Sequence, residues 1–224
     1  LRELPNLRAL GSIYPNAVQL VTLADSGISS LSDLRGKRVS VGAPGSGTEL
    51  SAQAILEANG ISYDDFNVQR LNFNETANAL RDGQIDAGFW SVGPPTSSIL
   101  DLATTRNIVI ISLSDEEVSK GLSASPVFAS YTMPAGTYPG QDEPVQTIGT
   151  PNVLVVSEEM DEELAYNIVK NLFENVGELR AIHPAANNTT VEFSLGATPI
   201  PLHPGALRYY QETGNEIPAR LLGQ

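Results

Sequence analysis

Residues Val39-Ser40-Val41-Gly42-Ala43-Pro44-Gly45-Ser46-Gly47-Thr48-Glu49 read as a buried strand that runs through a glycine-rich turn straight into a helix. Ser46 and Glu49 have the spacing of a capping box, with Ser46 as N-cap and Glu49 at N3, just ahead of the apolar positions Leu50, Ala54 and Ile55. Glycines at 42, 45 and 47 let the main chain approach a ligand closely, and a helix start favours negative charge. The segment 44–48 is therefore expected to hold a carboxylate or phosphate on backbone amides. The same residues also fit a plain strand-to-helix turn with the Ser46 hydroxyl consumed in capping. No lysine follows the last glycine and the G-x-G-x-x-G spacing is absent, which disfavours a nucleotide or dinucleotide as ligand.

Strands and helices alternate along this part of the chain. Strands are expected at 18–23, 38–41, 67–71 and 85–89, separated by helices at 49–58 and 75–81, the second capped by Asn74. A helix at 97–104 and a strand at 107–113 come next, with Ile108, Val109, Ile110 and Ile111 read as buried on both faces. This order is α/β, with a mainly parallel sheet. Between 123 and 151 five prolines mix with glycines and predict a loop-rich connection. A strand at 152–157, an amphipathic helix at 162–176 with Asp161 as N-cap, and a helix at 205–213 complete the reading. Residues 1–15 read as loop or helix end, which leaves the first domain without its opening strands.

Composition narrows the function. The chain of 224 residues carries 13 Lys and Arg against 26 Asp and Glu, a net charge of −13, which argues against nucleic acid or an anionic membrane surface as partner. An acidic chain that binds an anion must do so through local amides rather than through its overall field. No apolar run reaches the ~18 residues of a membrane span, so no direct membrane insertion is expected. Without cysteine there is neither a disulfide nor a thiolate metal site. His183 and His203 each precede proline with no acidic ligand pattern, so no metal and no cofactor is expected. No nucleophile stands beside a base and no close carboxylate pair is evident, so the chain reads as a non-enzyme.

Four segments together resemble the TAXI family, the TRAP-associated extracytoplasmic solute receptors. They are Leu34-Arg35-Gly36-Lys37-Arg38 running on to Glu49, Asp82-Gly83-Gln84-Ile85-Asp86-Ala87-Gly88-Phe89-Trp90 with Pro95-Thr96 behind it, Pro134-Ala135-Gly136-Thr137-Tyr138-Pro139-Gly140-Gln141-Asp142, and Pro201-Leu202-His203-Pro204-Gly205-Ala206 with Arg208-Tyr209-Tyr210. The resemblance implies a two-lobed, type II periplasmic-binding-protein-like fold in a periplasmic, extracytoplasmic protein. Such a receptor closes on a small anionic solute, a glutamate-like molecule or dicarboxylate, and delivers it to the membrane subunits of a TRAP transporter. It divides the chain into 1–16 as a remnant of lobe 1, whose first strands are missing, 17–148 as lobe 2, and 149–224 as the return to lobe 1.

In that frame the ligand residues are Pro44, Gly45, Ser46, Gly47 and Thr48 in the first turn, and Trp90, Gly93, Pro94 and Thr96 in a second. Ser46, Gly47 and Thr48 supply N–H or hydroxyl donors, Trp90 a pocket wall, Gly93 and Pro94 the shape of the turn, and Thr96 a hydroxyl. Tyr138 closes over the solute. Against these stand plainer readings: Trp90 as core, Thr96 as a helix cap, Tyr138 as the pin of a long loop. Neither turn contains a basic residue, so the partner of a second carboxylate is expected from the missing segment, Arg70 or Arg106. The competing functions are an enzyme, or a ligand-sensing effector domain, on the same scaffold.

Overall fold

The computed structural model describes residues 5–223. It divides into two compact units, one holding the chain up to Pro15 and again from Pro151, the other Asn16–Thr150. The chain passes between them inside β1 (Leu7–Leu23) and again inside β7 (Val145–Ser157). The α/β class is the one found.

The Asn16–Thr150 unit contains β2 (Arg38–Ser40), α1 (Gly47–Ala58), β3 (Asn67–Gln69), α2 (Phe73–Arg81), β4 (Ala87–Val92), α3 (Ser97–Ala103), β5 (Ile108–Ile110), α4 (Asp115–Ser123) and β6 (Ala129–Met133). Its strands lie in the order β3-β2-β4-β1, and β5 pairs with β1 as well. β2 runs parallel to β3, with Val39 opposite Val68, and parallel to β4, with Val39 opposite Ala87. β1 is antiparallel to both β4 and β5, with Val21 opposite Gly88 on one side and Ile110 on the other.

The expected mainly parallel sheet is thus corrected to a mixed one. β4 and β5 are parallel to each other through the α3 crossover, but β1 enters between them in the opposite sense. β6 and β7 add an antiparallel pair, Ala129 opposite Gly149. β5 has β1 as its strand partner, and Val109 is 39% exposed while Ile108 and Ile110 are buried. The expectation of burial on both faces fails at Val109, because alternation turns it to the face opposite Ile108 and Ile110 and that face is open there.

Alternation along the central strands feeds two cores. Val18, Leu20 and Phe89 pack with Leu31, Leu34, Ile55, Leu56 and Val118, on the α1 and α4 side. Val21, Leu23 and Trp90 pack with Leu80, Ile99, Leu102 and Met133, on the α2 and α3 side. Neighbours along one strand point to opposite faces, so Phe89 and Trp90 fall in different cores.

Several local readings shift. α2 is capped by Asn72, not Asn74: Asn72 Oδ1 accepts from Glu75 N–H at 3.0 Å and Glu75 Oε2 accepts from Asn72 N–H at 2.9 Å. The same reciprocal box, Ser114 with Glu117, starts α4, a helix absent from the sequence reading although its S-x-x-E signal is present. The segment 123–151, expected as loop, contains β6 and the start of β7. β1 begins at Leu7, well inside the stretch read as loop, because Gly11 and Pro15 mask its alternation.

The other unit is built on β1 and β7 with α5 (Glu162–Glu174), α6 (Val176–Ile182), α7 (Val191–Ala197) and α8 (Pro204–Glu212). α5 and α8 carry its core with Ala165, Val169, Ala206, Tyr209 and Tyr210. Tyr210 donates its hydroxyl to Leu10 O at 3.0 Å, anchoring α8 to β1. His203 is buried as the N-cap of α8: Nδ1 accepts from Gly205 N–H at 3.2 Å, and Nε2 lies 3.1 Å from Met160 O. Arg208 reaches Glu162 and Glu163 at 3.0 and 2.6 Å and lies over the Tyr166 ring.

Close approach of α5 and α8 depends on Gly205, where a Cβ would stand 2.2 Å from Glu162 O and 2.7 Å from Tyr166 N. Both atoms are backbone and cannot rotate away. Gly205→Ala is therefore expected to destabilise this unit by about 1–3 kcal/mol or more, read as a lowered denaturant midpoint. A neutral result would contradict the close pairing of α5 with α8.

Candidate functional site

β3, β2 and β4 run parallel, so their carboxyl ends bring three loops together within the Asn16–Thr150 unit. Arg70 follows β3, the turn 42–48 follows β2, and the turn 92–96 starts at the last residue of β4. Carboxyl ends of such strands are where open α/β sheets present ligand-binding loops. The start of α1 and the end of β4 meet: Thr48 Oγ1 accepts from Ser91 N–H at 3.3 Å.

In the first turn, Ser46 is the N-cap of α1 and its Oγ accepts from Glu49 N–H at 3.2 Å. The reciprocal half differs from the expected capping box. Ser46 N–H donates to Ala43 O at 3.0 Å, and the Glu49 carboxylate instead takes Gly45 N–H on Oε2 at 2.6 Å and Arg70 Nε on Oε1 at 2.5 Å. The Arg70 guanidinium first, then the Gly45 amide, hold the Glu49 carboxyl below its ordinary value of 4.5. Gly42 makes the turn feasible, since its φ is +100° and a Cβ there would stand 2.8 Å from Thr48 Cβ. Pro44, Gly45 and Gly47 are exposed, Ser46 is half-buried and Thr48 is buried.

At the start of α1, Leu50 N–H donates to Ser46 O at 3.1 Å and Glu49 N–H to the cap hydroxyl. The N–H groups of Gly47 and Thr48 have no acceptor among the described residues. These two are the orphan donors of the helix. The hydroxyls of Ser46 and Thr48 are engaged within the protein.

The second turn is more deeply built in. Trp90 is 0% exposed, stacks on Phe73 and donates Nε1–H to Ser98 Oγ at 3.1 Å, so it is a core side chain and the expected pocket wall is corrected accordingly. Gly93 and Pro94 are buried, and the Pro94-Pro95 bond is cis. Thr96 is the N-cap of α3 without a side-chain cap bond; its hydroxyl reaches Gly93 O at 3.4 Å. Tyr138 is 2% exposed and its hydroxyl bonds Gln19 and Thr96 N–H, which makes it a support of the turn rather than a cover. Gln19, a buried amide between Val18 and Leu20, is the residue the sequence reading passed over. Its one signal is a polar side chain in an apolar strand.

Of the two cations named as partners for a second carboxylate, Arg70 adjoins the first turn through Glu49, whereas Arg106 donates to Arg81 O behind α2. A groove of about 540 Å³ lies at the other end of α1, lined by Ser30, Arg35, Asn59, Ser114, Glu117 and Lys120. Its cations are already paired, Arg35 with Asp65 and Lys120 with Glu116, and Glu117 accepts from Ser114 N–H and Leu31 N–H. Among the described residues no group of three or more His, Asp or Glu is placed to hold a metal ion, and no helix is long and apolar enough to cross a membrane.

The sequence model of the NMT1-like family matches residues 2–214. The chain belongs to the NMT1-like family. Solved structures similar to this NMT1-like chain include the periplasmic aliphatic sulphonate binding protein SsuA of Escherichia coli, with 14% identity, 92% of this chain and 59% of that one covered, and a TM-score of 0.46. A second is the sulfonate-binding protein SsuA described from Methylobacillus flagellatus, with 18% identity, 93% and 62% covered, and a TM-score of 0.47. A third is the amino acid ABC transporter substrate-binding protein AbpA of Streptococcus pneumoniae bound to L-arginine, with 15% identity, 82% and 62% covered, and a TM-score of 0.47. The NMT1-like chain spans about three fifths of the length of each.

A carboxyl held below its ordinary value adds stability that is complete above that value and is lost as pH falls through the lowered one. The Glu49 link between α1, Gly45 and Arg70 should therefore loosen below about pH 4.5. Glu49→Gln is expected to lower stability at neutral pH and to flatten its fall in acid, measured by urea unfolding at several pH values. Parallel pH profiles for the variant and the parent would contradict this role of Glu49.

Proposed function

We propose that this NMT1-like protein is the extracytoplasmic solute-binding receptor of a membrane transporter and performs no chemistry. Within that reading the ligand is a small carboxylate, glutamate-like or a dicarboxylate, and the transporter is of the TRAP type, as the likeness to TAXI receptors suggests. The Asn16–Thr150 unit serves as one lobe and the remainder of the chain belongs to the other. Neither nucleic acid nor a membrane surface is a partner, in keeping with the net charge of −13.

The observation that carries the reading is the pair of unaccepted amides, Gly47 N–H and Thr48 N–H, at the start of a 12-residue helix. The helix start that carries them is bonded to the end of β4, the strand that leads into the second turn. A carboxylate placed there takes both donors and the favourable end of the helix dipole. Pro44 and Gly45 shape the approach, Ser46 and Thr48 hold the turn through their hydroxyls, Gly93 and Pro94 shape the second turn, and Thr96 adds a hydroxyl there. Arg70, joined to the turn by Glu49, is the cation offered for a second acid group.

The decisive variant is Gly47→Pro. Gly47 is the first helical residue, a position that favours proline, Ser46 before it is already extended at ψ 158°, and no atom lies within 4 Å of a Cβ at 47. The fold should persist while one ligand donor disappears. A hydrogen bond to a charged group contributes about 1.5–3 kcal/mol, so affinity is expected to drop roughly tenfold to a hundredfold. A panel of L-glutamate, succinate, other amino acids and short alkanesulfonates, scored by thermal shift on the wild type, identifies the ligand. Ligand at 100 times Kd adds about 2.7 kcal/mol, a shift well above error. No stabilisation by any member, or equal binding by Gly47→Pro, sinks the assignment.

A further inference from the structure

Two polar side chains that no ligand needs are buried in the middle of the Asn16–Thr150 unit. Gln19 is 1% exposed and Tyr138 is 2% exposed. The Tyr138 hydroxyl donates to Gln19 Oε1 at 2.5 Å and accepts from Thr96 N–H at 2.9 Å. Gln19 Nε2 in turn donates to Val92 O at 3.2 Å. The relay thus meets the turn 92–96 at both ends, its entry carbonyl and its exit amide. A phenylalanine at 138 and a leucine at 19 would fill much the same space but would take away these partners of Thr96 N–H and Val92 O, so packing alone does not account for the pair.

The loop 134–141 is folded to deliver Tyr138. Gly136 N–H donates to Gln141 O at 2.7 Å, Gln141 Nε2 donates to Pro134 O at 2.9 Å, and Gln141 Oε1 accepts from Tyr138 N–H at 3.3 Å. Burial pushes the Tyr138 hydroxyl up to about 12, so it stays a donor at neutral pH. Thr96, whose own side chain makes no cap bond, depends on that hydroxyl for its N–H.

We propose that Gln19 and Tyr138 are positioning residues that set the turn 92–96 for the ligand without touching it. The inference rests on the reading of that turn as part of the binding site. It assigns the role to the chemistry of one hydroxyl and one amide rather than to the aromatic ring.

The test compares the full chain with Tyr138→Phe, Gln19→Leu, the double variant and Ile99→Val, a trimming of the same core. Amide hydrogen exchange at Thr96 and calorimetric Kd for L-glutamate and succinate are both measured. The expected result is faster Thr96 exchange and an affinity about tenfold weaker in Tyr138→Phe and in Gln19→Leu, with the double variant no weaker than the poorer single one, because both act through one relay. Ile99→Val should lower the melting temperature and leave Kd unchanged. Unaltered Thr96 exchange, unaltered Kd in Tyr138→Phe, or fully additive losses in the double variant overturns the inference. If neither anion binds the wild type, the functional reading fails and the ligand part of the inference with it, while Thr96 exchange still decides whether the relay holds the turn.

Discussion

The Asn16–Thr150 unit depends on β1 being wedged, antiparallel, between two strands that are parallel to each other. β4 lies on one side and β5 on the other, and its pleat sends Val18 and Leu20 to one core and Val21 and Leu23 to the other. Removing it would leave β5 without a strand partner and open both layers at once. The same strand carries Gln19, which lies directly opposite Trp90 and reaches the entry of the turn after β4. The geometry of that turn is thereby tied to the strand that organises the sheet, and less to the short helix that follows it.

Charge and geometry pull against each other at the first turn. A chain with net charge −13 repels anions at long range, but screening limits that field to about 8 Å at physiological salt. Inside that distance the local groups decide. Glu49 is a negative charge at the turn itself, and its two oxygens are occupied by Gly45 N–H and Arg70 Nε. Paired in this way it is largely neutralised, and the amides of Gly47 and Thr48 remain as unopposed donors. The ion pair and the cap together keep the turn fixed, so an anion arriving there does not have to order it.

Much of the architecture was legible in the residues. The strand, glycine turn and capped helix from Val39 onward appear where the pattern puts them, and Asp161 caps α5 as its position before the glutamates indicates. What failed was long-range. The sense of β1 relative to β4 and β5 is a property of chain topology, and local periodicity is blind to it. Gly11 and Pro15 broke the alternation that would have extended β1 to Leu7. Trp90 followed Phe89 at a strand end, and which of two such neighbours faces a core is set by the helices covering the sheet; here both do. Gln19 left a faint trace, one polar residue among Val18, Leu20 and Val21, whose meaning emerged only when Tyr138 arrived from a loop more than a hundred positions away.

The distinctive motifs and the open donors do not coincide. The Pro134 to Gln141 stretch spends its tyrosine and glutamine on holding turns, and the Leu202-His203-Pro204-Gly205 stretch spends its histidine on a helix cap and its glycine on helix contact. The unaccepted amides sit instead in Gly47 and Thr48, in the first of the four segments. Two such donors to a charged group contribute about 3–6 kcal/mol, whereas micromolar binding requires about 8 kcal/mol. The difference must come from groups that recognise the rest of the ligand. The turn can therefore fix where an acid group sits, while the choice among acids is made by residues around it, with Arg70 the first of them to examine.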